Sequence, residues 1–310
     1  MPDTLRHLFH GHAAVLSGRI VRVGEGKQAK FVKDAFIDVP AAALPVSGGR
    51  STAKVSSKQL SHAVVRSFVR FTSATASSEG VFDDARAHFA ATLGKRQHST
   101  LATTTTVSAE VRGLDVGLKG NVRMLIKRVC GGFTAQKGDA TGDMAIRLSR
   151  ETGFDGNSVT FVDGKGKRYV LTVGIERDVF SGHDTFSAIT AAAGNKSFLR
   201  KFGHVLHSSR ASPGSKAAAA PAPPARTKEG AMQGTVVKPL QWKGPEFPGS
   251  TIDPERRNTL SVPGFGRVSF GEITLAPESR RLTMVSITLG SPIGGDFACA
   301  DVMDNGSPSL

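Results

Sequence analysis

Apolar and polar residues alternate along most of this chain, and this period of two predicts strands. The clearest case is residues 100–116, a Thr-rich stretch in which apolar side chains recur at every second position from Val107 to Val111. Similar runs at residues 12–23 and 30–39 predict earlier strands. The pattern therefore indicates a sheet protein.

Two pairs of neighbouring strands predict hairpins. Residues 157–162 and 167–173 flank Asp-Gly-Lys-Gly, and Asp-Gly readily adopts the positive φ angles of a tight hairpin turn. Residues 265–275 and 281–289 flank a short Pro-Glu-Ser turn. Hairpins of this kind are typical of antiparallel sheets.

Two strand patterns carry basic residues on the face opposite their apolar side chains. In residues 61–73 that face holds Arg66, Phe68 and Arg70. In residues 122–130 it holds Arg123, Leu125 and Lys127, whereas Val122, Met124 and Ile126 share the other face with Arg128. We call the set Arg66, Phe68, Arg70, Arg123 and Lys127 the basic face.

Helical spacing is confined to residues 83–93 and 183–207, and residues 208–231 are a low-complexity Ala/Pro/Ser segment. The predicted fold is mainly β, an antiparallel sandwich or barrel-like sheet with a small helical insertion. The predicted parts are a first β part over residues 1–173, a helical insertion over 174–210, a linker over 211–233 and strands over 234–310 that complete the same domain.

Two stretches resemble known proteins: TTTTVSAEVRGLDVGLKGNVRMLIKRV and LSVPGFGRVSFGEITLAPESRRLTMVSITLGSPIGGD. Together they resemble a family of uncharacterised bacterial β-rich proteins and, more distantly, the choice-of-anchor type domains of bacterial surface proteins. The resemblance covers about half of the chain and implies one β architecture built from both stretches. It implies no activity.

The charge of the chain suggests an anionic partner. The formal net charge is +14 at pH 7, and most of the excess lies in residues 1–137. Such a bias suits nucleic acid or another polyanion, although basic residues also coat ordinary solvated surfaces. The basic face, with an aromatic ring between two arginines, is the predicted anion-binding site.

The cysteines and the first residues of the chain set expectations about compartment. Two cysteines in apolar stretches, Cys130 and Cys299, predict buried free thiols, although a single disulfide is an alternative. No apolar run is long enough for a transmembrane segment, and residues 1–23 lack the pattern of a signal peptide. We therefore expect a cytoplasmic protein.

Two groups of histidines are candidate chemical sites. His7, His10 and His12 could bind a metal, but they lie near a chain end where fraying is common, and we predict no metal and no cofactor. His204 and His207, on a predicted helix, could act with Asp184 in acid–base catalysis. Helix-end histidines interacting with the helix dipole are the simpler interpretation.

The sequence favours a function without catalysis. It contains no P-loop, no GxSxG, no HExxH and no paired CxxC motif. We predict a non-enzymatic β scaffold that forms a homo-oligomer or binds an anionic partner through the basic face. The alternative is an enzyme on a β barrel or sandwich with a His/Asp site under the helical insertion.

Overall fold

The computed structural model shows two antiparallel sheets packed face to face, which confirms the predicted mainly β sandwich. The structure describes residues 9–23, 31–45, 47–60, 68–82, 103–117, 120–137, 144–180, 184–193, 206–207, 232–276, 279–290 and 293–305.

The strands follow the alternating segments of the sequence. In chain order they are β1 (Gly11–Val23), β2 (Phe31–Ala43), β3 (Gly49–Val55), β4 (Val69–Arg70), β5 (Ser73–Phe82), β6 (Thr103–Val116), β7 (Arg123–Lys137), β8 (Met144–Leu148), β9 (Gly153–Phe154), β10 (Ser158–Val162), β11 (Arg168–Thr172), β12 (Leu206–His207), β13 (Met232–Thr235), β14 (Gln241–Lys243), β15 (Thr251–Ile252), β16 (Thr259–Val262), β17 (Gly266–Ala276), β18 (Ser279–Leu289) and β19 (Ile293–Asn305). The helix α1 spans Phe186–Ala193, and short 3-10 turns span Ser57–Gln59 and Asp155–Asn157.

Strands distant in sequence share each sheet. Sheet A has the order β12-β13-β17-β18-β19-β1-β2, with β16 beside β17 and β15 beside β16. Sheet B has the order β14-β11-β10-β7-β6-β5-β3, with β4 beside β6 and with β8 and β9 beside β7. In sheet A, β1 pairs with β19 from Gly11 opposite Asp304 to Arg22 opposite Ile293.

Both predicted hairpins are confirmed. β10 pairs with β11, and β17 pairs with β18 from Gly266 opposite Leu289 to Ala276 opposite Ser279. The helix α1 falls in the predicted helical region, but residues 206–207 form strand β12 rather than the end of a second helix. Residues 83–93, His204 and residues 211–231 lie outside the described part of the chain. Met232 and Gln233, assigned to the linker from sequence, begin β13. The division into parts stays a prediction.

The inner faces of the two sheets bury apolar side chains in one core. Phe161 packs edge-to-face on Trp242, Phe247 and Phe265, which joins sheet B to the segment that leads into sheet A. At Gly131 the sheets approach so closely that a Cβ atom would lie 2.7 Å from the Ala300 carbonyl oxygen. Each buried Phe contributes about 1.5–3 kcal/mol, so packing between the sheets is the main source of stability.

One region of this core is polar. Arg280 on β18 and Asp304 on β19 lie opposite each other and are each 1% exposed. Thr105 of sheet B hydrogen-bonds to the Asp304 carboxyl. Burial raises the pKa of Asp304 to about 7, although the Arg280 charge and the Thr105 hydrogen bond act to lower it. A titratable group therefore lies between the two sheets.

Within the described residues, no helix has both the length and the apolar character needed to cross a membrane.

Candidate anion-binding site

A change of face in sheet B brings two of the predicted basic residues together. In β6 the buried positions are odd-numbered up to Val111 and even-numbered from Leu114, so that Arg112 and Gly113 both face outward. Gly113 has φ +62, and a Cβ atom at this residue would lie only 2.4 Å from the Thr72 hydroxyl oxygen. The switch turns Asp115 to the outer face.

Asp115 binds both arginines. Arg70 Nη2 donates to Asp115 Oδ2 at 2.9 Å, and Arg123 Nε donates to Asp115 Oδ1 at 3.0 Å. Arg123 Nη2 also donates to Oδ2, which makes this pair bidentate. The hydrogen bonds from Arg123 to Asp115 raise the pKa of the guanidinium above its ordinary value. Two guanidinium groups thus share one carboxylate, and the cluster carries one positive charge in excess.

The cluster lines an open, concave cleft with a volume of about 460 Å³. Its other walls are Phe71, Thr72 and Gly113. The Arg70 side chain is 46% exposed and that of Arg123 is 28% exposed, whereas that of Asp115 is 17% exposed. A ligand approaching from solvent therefore meets the guanidinium groups more readily than the carboxylate. We call the set Arg70, Thr72, Asp115 and Arg123 the Asp115 cleft.

The remaining members of the basic face do not join this cleft. Lys127 Nζ lies 2.7 Å from Asp155 Oδ2, and the hydrogen bond lowers the pKa of that carboxyl group. Phe68 is 4% exposed and packs edge-to-face on Phe297, so it cannot stack on a nucleic-acid base as the sequence suggested. Arg66 lies outside the described residues.

The strand β7 switches faces beside β6, which corrects the predicted position of Arg128. Lys127 and Arg128 are both accessible, and Arg128 donates to Glu110 at 2.6 Å and to Glu151 at 3.1 Å on the outer face. Arg112 also donates to Glu110. Partial burial raises the pKa of Glu110, but the hydrogen bonds from these arginines outweigh it and hold the pKa below its ordinary value.

Cys130 lies beside this second cluster. Its Sγ atom and carboxylate oxygens of Glu110 and Glu151 lie within 4.8 Å of one another. Both carboxylates already bind Arg128, and burial raises the pKa of the Cys130 thiol to about 12. A metal ion would have to displace the guanidinium group and deprotonate the thiol, so the cluster favours ion pairing over metal binding.

The histidine predictions are only partly covered by the described residues. His10 precedes β1 and His12 lies within it, both half-buried, whereas His7 lies outside the described part. Asp184 lies just before α1, and its carbonyl oxygen accepts a hydrogen bond from the Ile146 amide at 2.7 Å. The backbone of His207 belongs to β12, where it pairs with Gln233.

The two thiols are not poised for nucleophilic chemistry. Both Cys130 and Cys299 are buried and form no disulfide. Burial raises the pKa of the Cys299 thiol above its ordinary value, as it does for Cys130. A thiolate is the reactive form, so neither cysteine resembles an activated nucleophile.

Sequence reasoning missed Asp115, the residue that unites the site. Its only signal was a carboxylate just after the Gly-Leu pair that ends the Thr-rich alternation. Comparison of the chain with protein-family models, with curated proteins and with solved structures found no match.

Proposed function

We propose that this protein is a non-enzymatic β scaffold that binds an anionic partner at the Asp115 cleft. The observation that supports this function is that Arg70 and Arg123 converge on a single carboxylate at a concave surface. Guanidinium groups with free N–H donors bind phosphate and carboxylate groups well. The excess basic charge of residues 1–137 would add long-range attraction.

The strands explain why the cleft is rigid. Arg70 and Asp115 are opposite each other in the ladder between β4 and β6, and Arg123 begins the next strand, β7. A site built on three hydrogen-bonded strands loses little conformational entropy when it binds a ligand. This favours a preformed binding surface over a site that orders on binding.

Two substitutions with opposite expected effects test the proposal. Arg70→Gln removes one guanidinium group and should weaken binding of heparin and of a labelled single-stranded oligonucleotide about tenfold. Asp115→Asn removes the competing carboxylate and should tighten binding of the same probes. Fluorescence anisotropy at several salt concentrations measures both, and the slope of log K against log salt should fall by about one for Arg70→Gln.

Matched controls separate the cleft from net charge. Lys243→Gln removes one positive charge at the edge strand β14, and Glu255→Gln removes one negative charge at an exposed turn. If these controls change affinity as much as Arg70→Gln and Asp115→Asn do, the cleft is not the binding site. Equal affinity of the wild type at low and high salt would also refute the proposal.

We propose separately that the protein self-associates into a homo-oligomer, as expected from the sequence. Light scattering of the wild type measures self-association directly, and a monomer at all concentrations would overturn this second proposal while leaving the anion-binding test intact.

A further inference from the structure

A second cleft lies on the opposite outer face of the sandwich, on sheet A. It has a volume of about 270 Å³, and its polar lining includes Gln233, Arg256, Asn258, Glu272, Arg281 and Thr283. These residues come from β13, β17, β18 and the turn before β16. The cleft is therefore a product of the sheet order and not of any local motif.

The floor of this cleft is fixed by satisfied polar groups. Asp301 is 8% exposed and accepts hydrogen bonds from Arg281 Nε at 3.0 Å, from Arg281 Nη2 at 2.8 Å and from the Thr283 hydroxyl at 2.8 Å. The buried Asn258 donates through Nδ2 to the Phe270 carbonyl at 2.9 Å. These groups need no ligand, so they provide a preorganised base.

A rigid turn positions Arg256 at the rim. Asp253 Oδ1 accepts hydrogen bonds from the amides of Glu255 at 2.9 Å and Arg256 at 3.1 Å. The Arg257 amide donates to the Asp253 carbonyl at 2.8 Å, and Arg257 has φ +49. Hydrogen bonds of this kind hold a turn in one conformation.

Two charged residues of the lining interact with neighbouring charges, Glu272 with Arg281 and Arg256 with Asp253, but they form no direct ion pair among the described residues. Neither Arg256 nor Glu272 forms an ion pair with another residue in the described part of the chain. The Arg281 side chain is 52% exposed. Its Nε and Nη2 groups donate to Asp301, and the other N–H donors of the guanidinium group remain for a ligand. The cleft thus combines available cationic donors with an available carboxylate.

We propose that this cleft binds a small zwitterion that carries a carboxylate and a primary ammonium group. Arg256 and Arg281 bind the carboxylate, and Glu272 binds the ammonium group. A simple anion would meet the Glu272 carboxylate, and a simple cation would meet two guanidinium groups, so only a ligand with both charges suits the lining. The volume of the cleft is sufficient for a ligand of the size of an amino acid.

Titration calorimetry with a set of simple probes tests the ligand class. The probes are glycine, β-alanine and 4-aminobutyrate, compared with acetate and methylammonium, which each carry one of the two charges. At least one amino carboxylate should bind about tenfold more tightly than either singly charged probe. If acetate binds as tightly as every amino carboxylate, or if no amino carboxylate binds, the proposal is wrong.

Substitutions locate the site. Arg256→Gln and Glu272→Gln should each weaken binding of the best amino carboxylate about tenfold, because each removes one charge-assisted contact. Glu255→Gln, in the same turn but outside the lining, and Arg70→Gln, on sheet B, should bind as the wild type does. Thermal unfolding verifies that each variant is folded, and unchanged binding in Glu272→Gln would overturn the assignment.

Discussion

Arg280 and Arg281 are neighbours in β18, yet they lie on opposite faces of sheet A and in different environments. Arg280 faces the core, where it and Asp304 are each 1% exposed. The Arg281 side chain is 52% exposed and binds Asp301, whose side chain is 12% exposed, at the outer surface. The same pair of residue types thus occurs once inside and once outside the sandwich, on the same two strands.

The difference shows what burial does to a charged pair. Asp301 receives three hydrogen bonds, whereas Oδ2 of Asp304 accepts none from the described part of the chain. Removing charges from water costs several kcal/mol, and an incomplete set of hydrogen bonds leaves part of that cost uncompensated. The inner pair therefore makes the contact between β18 and β19 sensitive to pH, whereas the outer pair is exposed to solvent and fully hydrogen-bonded at its carboxylate.

The largest expected effect comes from breaking the inner pair. Arg280→Met should lower the free energy of unfolding at pH 8 by about 3–5 kcal/mol, because it removes the cation opposite a buried carboxylate. Urea denaturation measures this loss. The double variant Arg280→Met with Asp304→Leu should recover much of this stability, because it leaves no unpaired buried charge. If the double variant were as unstable as Arg280→Met, Arg280 would stabilise the fold through packing and not through its charge.

The next largest effect is the pH dependence due to Asp304. Its folded pKa of about 7 lies above the ordinary value, so the folded state binds one proton more than the unfolded state between about pH 4 and pH 7. This contribution to stability is complete below the unfolded pKa and is lost as pH rises through 7, at up to about 1.4 kcal/mol per pH unit.

Asp304→Asn removes this titration. As pH rises from about 4 to 7, the wild type should therefore lose stability relative to Asp304→Asn. Urea titrations at a series of pH values provide the measurement. Parallel curves for the two proteins would mean that Asp304 does not change its protonation on folding.

The smallest effect is expected for the outer pair. Arg281→Gln should cost about 1 kcal/mol, because solvent screens an exposed arginine and Thr283 still donates to Asp301. The cost should shrink in high salt, unlike that of Arg280→Met. If Arg281→Gln lowered the free energy of unfolding as much as Arg280→Met does, the exposed and the buried arginine would contribute equally to stability, contrary to this prediction.

Local patterns in the sequence predicted much of the fold. Asp-Gly between residues 162 and 167 marked the β10–β11 hairpin, and the Thr-rich alternation marked β6, because turn chemistry and side-chain period are local properties. The helix α1 followed from helical spacing in the same way.

The sites depended on information that no local pattern contains. The face switch occurs in two neighbouring strands, at Gly113 in β6 and at Lys127 and Arg128 in β7. Strict alternation within residues 122–130 therefore placed Arg128 on the wrong face, and alternation along β6 overlooked Asp115.

Alternation places Arg280 on the same face of β18 as Leu282 and Met284, but an arginine is rarely fully buried and its partner is not local in sequence. Only the pairing of β18 with β19 shows that Asp304 lies opposite Arg280, and only the packing of the two sheets brings Thr105 to Asp304.

The pairing of β1 with β19 also has a kinetic consequence. These strands are separated by nearly 270 residues, and closing so long a loop costs entropy before any contact compensates it. Among the described strands, the partners of β1 within sheet A are β2 and β19, so one edge of β1 stays open until residues 293–305 are synthesised. An unpaired strand edge is a template for pairing with another chain, so the β1–β2 hairpin is open to intermolecular pairing until β19 covers that edge.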